Sequence, residues 1–354
     1  MQIEVKGGRE DFPYSIRDVH ISDPCIFPDE KTGMYYTYVQ FVDRERFPDA
    51  AGDGMCFYVI KSPDLINWSV PKVCFRQKDT DFWADKDYWA PELHMWKGKY
   101  YLFSTFRKTG TYRRCQCLVA DSPEGPFKPM GSPVTPDGWQ CLDGTLYVDK
   151  KGDPWMVFVH EWLQVYDGQI AAVPLSQDLS RAVGDPLILF RATDAPWVGT
   201  KHTSGGFVTD GPYLRRMQNG SLIMIWSSFS EDGAYTCGQA KSLSGEIFGP
   251  WVQDPVPVYG LDGAHAMLFE TFGGQLMMSL HSPNEHPRKR ILLFEMAEDG
   301  DRLRIECEVT GNWYSRHGKG SGARYASRDV LTESFYFAKD PRKKADCCEE
   351  KCEE

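Results

Sequence analysis

The sequence lacks the features that mark several large functional classes. No apolar run approaches the roughly 18 residues of a membrane-spanning helix, so we expect no membrane partner. The net charge is −10 and no basic block is long enough to follow a phosphate backbone, which argues against a nucleic-acid partner. Also missing are a Gly-rich phosphate loop, His-Glu-x-x-His, a zinc-spaced cysteine pair and Gly-x-Ser-x-Gly. Nucleotide, zinc and serine-hydrolase chemistry therefore have no supporting motif.

A secretory leader is missing as well, because residues 1–8 contain neither a charged leader nor an apolar segment. The eleven cysteines are an odd number, and most are scattered through strand-like segments. This usage indicates reduced, mostly buried thiols rather than a disulfide framework, and we expect a cytoplasmic protein. Cys347, Cys348 and Cys352 lie in a polar tail, for which we prefer disorder to metal binding.

Long amphipathic helical patterns are absent too, and pairs of short apolar runs joined by Gly-containing turns take their place. Five such units occur, at spacings of roughly 50 to 70 residues. They begin near Asp23, Trp89, Cys141, Asp210 and His265. The first four plainly continue into a third strand. Five units of about four strands predict an all-β, five-bladed β-propeller over residues 1–310, followed by a C-terminal extension and Cys-containing tail over residues 311–354. Two stacked β-sandwiches are the alternative.

The third unit, residues 141–162, has the pattern of a β-hairpin with a Gly/Asp turn. Asp143 precedes its first strand and Glu161 follows its second, so both carboxylates are expected at the same end of the hairpin. Two carboxylates on a rigid element suit acid/base chemistry. An Asp before a Gly also often only shapes a turn.

In a propeller, the first strand of each blade lines the central axis, and the residues at its start face the axial cavity. These positions are occupied by Asp23, Trp89 or Glu92, Asp143, Asp210 and His265. Three acids in one cavity repel each other and raise at least one pKa, which suits a proton donor at neutral pH. The pattern favours a catalytic site over a structural cluster.

The same segments resemble glycoside hydrolase family 43 over residues from about 15 to 310. The resemblance is carried by Ser22-Asp23-Pro24, Trp89-Ala90-Pro91-Glu92, Leu142-Asp143-Gly144-Thr145-Leu146, Thr209-Asp210-Gly211-Pro212-Tyr213-Leu214 and Gly263-Ala264-His265-Ala266-Met267-Leu268. It implies a five-bladed propeller that cleaves α-L-arabinofuranosides, β-D-xylosides or related furanosides with inversion at the anomeric carbon.

The resemblance also implies roles for the acids. Asp23 matches the catalytic base, and Asp143 matches the Asp that tunes the pKa of the acid and orients it. The family's general acid is a Glu, whereas this sequence has Asp210, which is one methylene shorter. Either Asp210 or Glu161 is the acid, or the acid is lost and the protein only binds sugars.

Further site residues are expected around this centre. His265 matches a histidine that in some members faces a calcium or sodium ion through water, so an axial cation is possible although no cofactor is required. Trp83, Trp89 and Trp162 are candidates for stacking on a sugar, and Arg288 for contacting hydroxyls. Glu92 is grouped with these substrate-binding candidates.

The interpretation is an exo-acting glycosidase that removes terminal α-L-arabinofuranosyl, or β-xylosyl or β-galactofuranosyl, residues from oligosaccharides. A non-catalytic sugar-binding propeller is the competing class. A propeller phosphorylase is disfavoured, since no Arg cluster for phosphate is evident at the axial positions. The sequence leaves the oligomeric state open.

Overall fold

A computed structural model describes residues 9–40, 54–203, 205–286 and 288–309, together with the backbone of residues 326–327. Within these ranges the chain forms a five-bladed β-propeller, as predicted, and each blade is a sheet of four or five strands. No helix in the described ranges is long and apolar enough to cross a membrane. The cysteines of the polar tail lie outside the described residues.

The first two blades follow one another directly in the chain. The first six strands are β1 (Tyr14–Ser15), β2 (Ile26–Asp29), β3 (Met34–Val39), β4 (Cys56–Ser62), β5 (Asn67–Trp68) and β6 (Lys72–Arg76). The first blade has the strand order β2-β3-β4-β6, and β1 pairs with β5 in a small separate sheet. The second blade consists of β7 (Lys86–Trp96), β8 (Lys99–Arg107), β9 (Arg114–Ala120) and β10 (Lys128–Pro129). Short 3-10 helices cover Arg9–Asp11, Ile16–Asp18 and Gln77–Asp79.

The remaining three blades repeat the same order of strands from the axis outward. The third consists of β11 (Cys141–Val148), β12 (Pro154–His160), β13 (Gln169–Pro174) and β14 (Leu187–Arg191), with helix α1 (Trp162–Val165) after β12 and a 3-10 turn at Ala192–Asp194. The fourth consists of β15 (Asp210–Arg216), β16 (Leu222–Phe229), β17 (Tyr235–Ser242) and β18 (Trp251–Gln253). The fifth consists of β19 (Ala264–Glu270), β20 (Leu276–Ser282), β21 (Arg290–Asp299), β22 (Arg302–Glu308) and β23 (Ala326–Ser327).

The fifth blade thus continues beyond its hairpin, where the sequence pattern was weakest. A polar connection separates β20 from β21 and obscures the continuation, although β21 itself is strongly apolar. Neighbouring innermost strands contact each other all the way round, with β19 closing the ring against β2. Among the described residues, one apolar cluster fills each of the five junctions between blades. Eight cysteines of the described residues are buried and form no disulfide bond with one another.

A β-bulge recurs at the start of the innermost strand in four blades. Two residues of the innermost strand lie opposite one residue of its partner at Ala90-Pro91, Asp143-Gly144, Gly211-Pro212 and His265-Ala266. The first residue of each pair has a positive φ, between 45° and 55°, and so does Asp23 just before β2. Bulges re-aim side chains and are common beside active sites. In these four blades the bulge changes the direction of the side chain at the start of the innermost strand, and Asp23 has the same backbone conformation in the first blade.

Candidate active site

Asp23, Asp143 and His265 come together at the propeller axis, the last two on bulges. His265 Nδ1 lies 3.2 Å from Asp23 Oδ1 and 3.8 Å from Asp143 Oδ2. The His265 backbone is held by Ser227, whose Oγ accepts its N–H at 2.8 Å. Burial lowers the pKa of His265, but the surrounding carboxylates outweigh burial and raise it above its ordinary value. An imidazolium between two carboxylates is the natural charge state of this arrangement.

Asp23 is held by side chains from the first and fifth blades. Its backbone N–H donates to His281 Nδ1 at 3.1 Å, and Gln40 Nε2 donates to its Oδ2 at 3.5 Å. Because Nδ1 accepts, the proton of His281 is on Nε2, which lies 3.1 Å from Asn284 Oδ1. Burial lowers the pKa of His281 to about 3, so this ring is neutral.

The Asp23 carboxyl itself is poised to be ionised. Burial alone raises its pKa, but the positive charge of His265 and other basic neighbours reverses the effect, and the net pKa is lowered. An ionised, partly enclosed carboxylate in a cavity is suited to accepting a proton from water.

Asp143 is fixed on both sides of its bulge. The Asp143 backbone N–H donates to Thr105 Oγ1 at 2.9 Å, and its Oδ2 accepts the Gly211 N–H at 3.0 Å. Burial raises the pKa of Asp143 to about 6, with His265 opposing the shift and Asp23 adding to it. We predicted that Asp143 would precede the strand, whereas it lies within β11. The reason is that Cys141 and Leu142 already pair with β12 before the bulge at Asp143-Gly144.

Asp210 occupies the residue before the bulge of the fourth blade, opposite Ser227 of β16. Tyr235 donates its hydroxyl to Asp210 Oδ2 at 3.0 Å. Burial, followed by the negative charge of Asp143, raises the pKa of Asp210 well above its ordinary value. This shift favours the protonated form of the carboxyl, which can donate a proton.

The cavity thus contains an acid and a base of the same residue type. The pKa of Asp23 is lowered and that of Asp210 is strongly raised, although both are half-buried aspartates. Pairs of carboxyls whose environments drive their pKa values apart are the usual sign of divided acid and base roles. The arrangement can deprotonate one group while protonating another.

Glu161 lies at the same end of the third blade as Asp143, as the hairpin pattern predicted, but it forms a different contact. It follows β12 and its two carboxylate oxygens accept from Arg113 Nη1 at 3.0 and 2.8 Å. Arg113 also donates from Nε to Asp87 at 3.0 Å, and its guanidinium carbon lies 4.3 Å from the centre of the Trp89 ring. Burial raises the pKa of Glu161, with Arg113 opposing the shift.

The other proposed substrate residues lie at different depths. Trp89 directly precedes the bulge of the second blade, which is the position that Asp210 has in the fourth blade. Glu92 follows the bulge, is buried, and forms hydrogen bonds with His94 and Thr145. Trp83 is half-buried and donates to Gln116 Oε1 at 2.7 Å. Trp162 is half-buried on α1. Arg288 is exposed and pairs with Glu285, so the structure does not gather it with the axial acids.

The axial donor set does not fit a directly coordinated metal ion. In the part of the chain that the structure describes, no three His, Cys, Asp or Glu side chains are grouped to hold one. The carboxylates that could supply oxygen are arranged around the His265 ring, and a cationic imidazole repels a second cation. Calcium needs six to eight oxygen ligands.

Two contacts of the site were missed from the sequence, namely those of Tyr235 and Arg113. Tyr235 begins β17, and the β16–β17 hairpin returns to the end where β15 starts with Asp210. Pairing alone therefore brings Tyr235 close to the acid, and this signal was readable from the hairpin pattern. Arg113 has no such signal, because Glu161 is 48 residues away on the next blade.

Comparison with known proteins identifies relatives of this chain. Two curated relatives are xylosidase/arabinosidase 43A of Humicola insolens, 30% identical over 38% of this chain and 36% of the relative, and extracellular endo-alpha-(1->5)-L-arabinanase 1 of Bacillus subtilis (strain 168), 27% identical over 29% of this chain and 35% of the relative. The matched region thus spans about a third of the length of each relative.

A similar solved structure is the endo-arabinase from Bacteroides thetaiotaomicron VPI-5482, with a TM-score of 0.75 and 42% identity over 82% of this chain and 99% of that chain. The α-L-arabinofuranosidase from Lactobacillus brevis, at 17% identity and a TM-score of 0.62 over 82% of this chain and 97% of that chain, shares the fold. The family described as glycosyl hydrolases family 43 matches residues 15–301. Because that match covers well over half of the sequence, the chain belongs to glycosyl hydrolases family 43.

Proposed function

We propose that this glycosidase hydrolyses α-L-arabinofuranosyl linkages in oligosaccharides with inversion, using Asp23 as the base and Asp210 as the acid. The observation that carries the proposal is the opposite displacement of the two pKa values within one cavity. Burial raises the pKa of Asp143 to about 6, and the charge of Asp143 adds to the rise in the Asp210 pKa.

The reaction is a single displacement at the anomeric carbon. Asp23 takes a proton from a water molecule while the water oxygen forms a bond to that carbon. The bond from the same carbon to the glycosidic oxygen breaks, and Asp210 gives its proton to the departing oxygen. Asp23 ends protonated and Asp210 ionised, and solvent restores both before the next turnover.

Asp210 is preferred to Glu161 as the acid because of what each carboxyl contacts. Both oxygens of Glu161 accept from Arg113, which favours the ionised form and leaves no oxygen free to carry a proton to the substrate. Asp210 accepts one hydrogen bond, from Tyr235, on a single oxygen. Because Asp is shorter than Glu, the sugar must sit closer to β15 than it would beside a Glu.

The choice of arabinofuranosyl linkages rests on the activities named for two of the relatives. The Bacteroides neighbour is called an endo-arabinase, and the Bacillus relative an arabinanase. Removal of terminal residues remains our expectation from the sequence. Cleavage of internal linkages is the second candidate, and the 42% identity to the Bacteroides protein supports it.

The test compares parent, Asp210→Asn and Glu161→Gln on 4-nitrophenyl α-L-arabinofuranoside, the corresponding β-xyloside and arabino-oligosaccharides. We expect the parent to cleave the arabinofuranoside in preference to the xyloside, with the β-anomer appearing first by NMR. Asp210→Asn should lose far more activity on oligosaccharides than on the aryl substrate, because the activated aryl group needs little protonation. Binding of arabino-oligosaccharide without turnover by the parent would overturn the proposal, and a selective loss in Glu161→Gln would transfer the acid role.

A further inference from the structure

Helix α1 and the residue after it present two aromatic side chains beside the cavity. Trp162 begins the helix directly after Glu161, whose charge acts on Asp143. Tyr166 follows the helix and is 61% exposed. Its ring meets Phe207 edge-on, with centroids 6.1 Å apart, and the rest of its surface faces outward. We call Trp162 and Tyr166 the rim shelf.

The backbone at Tyr166 is strained in a way that its own packing does not explain. Tyr166 has φ 67° and ψ −51°, and the Asp167 N–H donates to the Val165 carbonyl at 2.8 Å. These values define a γ-turn with positive φ, which is rare for a residue with a side chain. Such strain typically persists where the conformation serves a function. A glycine would remove the strain at this exposed position, yet the chain has a large aromatic residue here.

The rim shelf is attached to the strand that carries the acid. The Phe207 N–H donates to the Tyr166 carbonyl at 2.9 Å, and the Gly168 N–H donates to the Phe207 carbonyl at 2.8 Å. Gly206 packs so closely on Trp162 that an added Cβ would overlap the indole ring. Three residues after Phe207, the chain enters β15 at Asp210. The shelf therefore lies on the acid's side of the cavity.

We propose that the rim shelf binds the leaving-group side of the substrate, stacking on arabinofuranosyl units toward the reducing end from the cleaved bond. The assignment rests on the proposed function, because the acid protonates the leaving oxygen and so marks the side on which the leaving sugar sits. An exposed Tyr ring and a half-buried Trp ring, each with a polar edge, suit the apolar face and hydroxyl rim of a sugar. A rim shelf on this side favours cleavage of oligosaccharide chains that have several sugar units on the leaving-group side of the cleaved bond.

The experiment measures kcat/KM for a series of arabino-oligosaccharides of increasing length and for 4-nitrophenyl α-L-arabinofuranoside. Tyr166→Ala should lower kcat/KM on the longer chains by roughly 3- to 10-fold, the size of one lost stacking contact, and lower it less on the aryl substrate, whose leaving group is a single ring. Tyr166→Phe should restore the parent values, because the ring is kept. Phe248→Ala is the matched control, since Phe248 is 63% exposed on the turn between β17 and β18 at the opposite end of its blade.

Two outcomes separate this proposal from the function it rests on. If the parent is active but Tyr166→Ala has the parent's dependence on chain length, or loses equally on all substrates, the rim shelf is not a sugar-binding surface. If the parent cleaves neither oligosaccharide nor aryl substrate, the proposed function is wrong and the shelf assignment with it. Trp162→Ala serves as a second variant with the same expected length dependence, provided that its melting temperature shows that it folds.

Discussion

The hydroxyl of Tyr235 offers a direct way to examine the acid, because it can be removed without disturbing the ring. Tyr235 is only 4% exposed, and its ring lies 5.0 Å from that of Phe229 and 5.7 Å from that of His281. Its hydroxyl donates to Asp210 at 3.0 Å. Tyr235→Phe keeps both ring contacts and deletes that one hydrogen bond.

The sign of the effect follows from the direction of the bond. A hydroxyl that donates to a carboxylate stabilises the ionised form, and this bond opposes the rise in the Asp210 pKa that burial causes. Hydrogen bonds to charged groups contribute about 1.5–3 kcal/mol, which corresponds to about one to two pKa units. Because the protonated acid also keeps part of the bond, we expect the Asp210 pKa to rise by about one unit.

The pH profile of kcat/KM on an arabino-oligosaccharide reports this change, since its alkaline limb follows the acid of the free enzyme. In Tyr235→Phe the alkaline limb should move to higher pH while the acidic limb, set by Asp23, stays in place. At neutral pH we expect kcat to fall about tenfold, because the acid loses its orienting contact. Tyr38→Phe, which removes a buried hydroxyl bonded to the Pro123 carbonyl, should leave the profile unchanged. An alkaline limb that stays in place or moves to lower pH refutes the reasoning.

Two other substitutions test the surroundings of the site. Arg113→Met should destabilise the protein by about 3–5 kcal/mol at pH 8 in urea unfolding, because it leaves Glu161 buried without its partner. The loss of stability should be smaller when Glu161→Gln is added, or when the pH is low enough to protonate Glu161. Gly238→Ala should cost about 1–3 kcal/mol, because the new methyl would overlap the Trp197 ring, whereas Gly260→Ala has open space and should not change the melting temperature.

The five repeats and the starts of their strands were predictable, because they depend on short apolar runs and on the Gly-containing turns between them. Asp143 and Glu161 were placed at one end of a hairpin by counting alone, and the structure shows the corresponding pairing of Cys141 with His160. The depth of Asp143 was not predictable, since a bulge changes which face a residue points to without changing composition.

Contacts between blades were the part that pattern reading could not supply. His281 meets Asp23 across 258 residues, and Arg113 meets Glu161 across the junction of the second and third blades. Such pairs depend on how the sheets pack around the axis, which hydrophobic alternation does not encode. The Arg113 contact shows the consequence. From the sequence alone Glu161 is a carboxylate without a partner and therefore a reasonable candidate for the acid.

The opposite pKa shifts of Asp23 and Asp210 follow, among the residues that the structure describes, from where the His265 ring lies. His265 occupies the bulge position next to Asp23, within 3.2 Å, and it is the first neighbour to lower the Asp23 pKa against burial. Asp210 sits one residue before its bulge, where the neighbour with the largest effect on its pKa is the negative Asp143. Similar burial therefore leads to opposite pKa shifts, because one carboxyl lies beside the His265 ring whereas the strongest neighbour of the other is a carboxylate. By this reasoning the bulge in β19 matters to catalysis as much as the acids do, since it sets which aspartate His265 reaches.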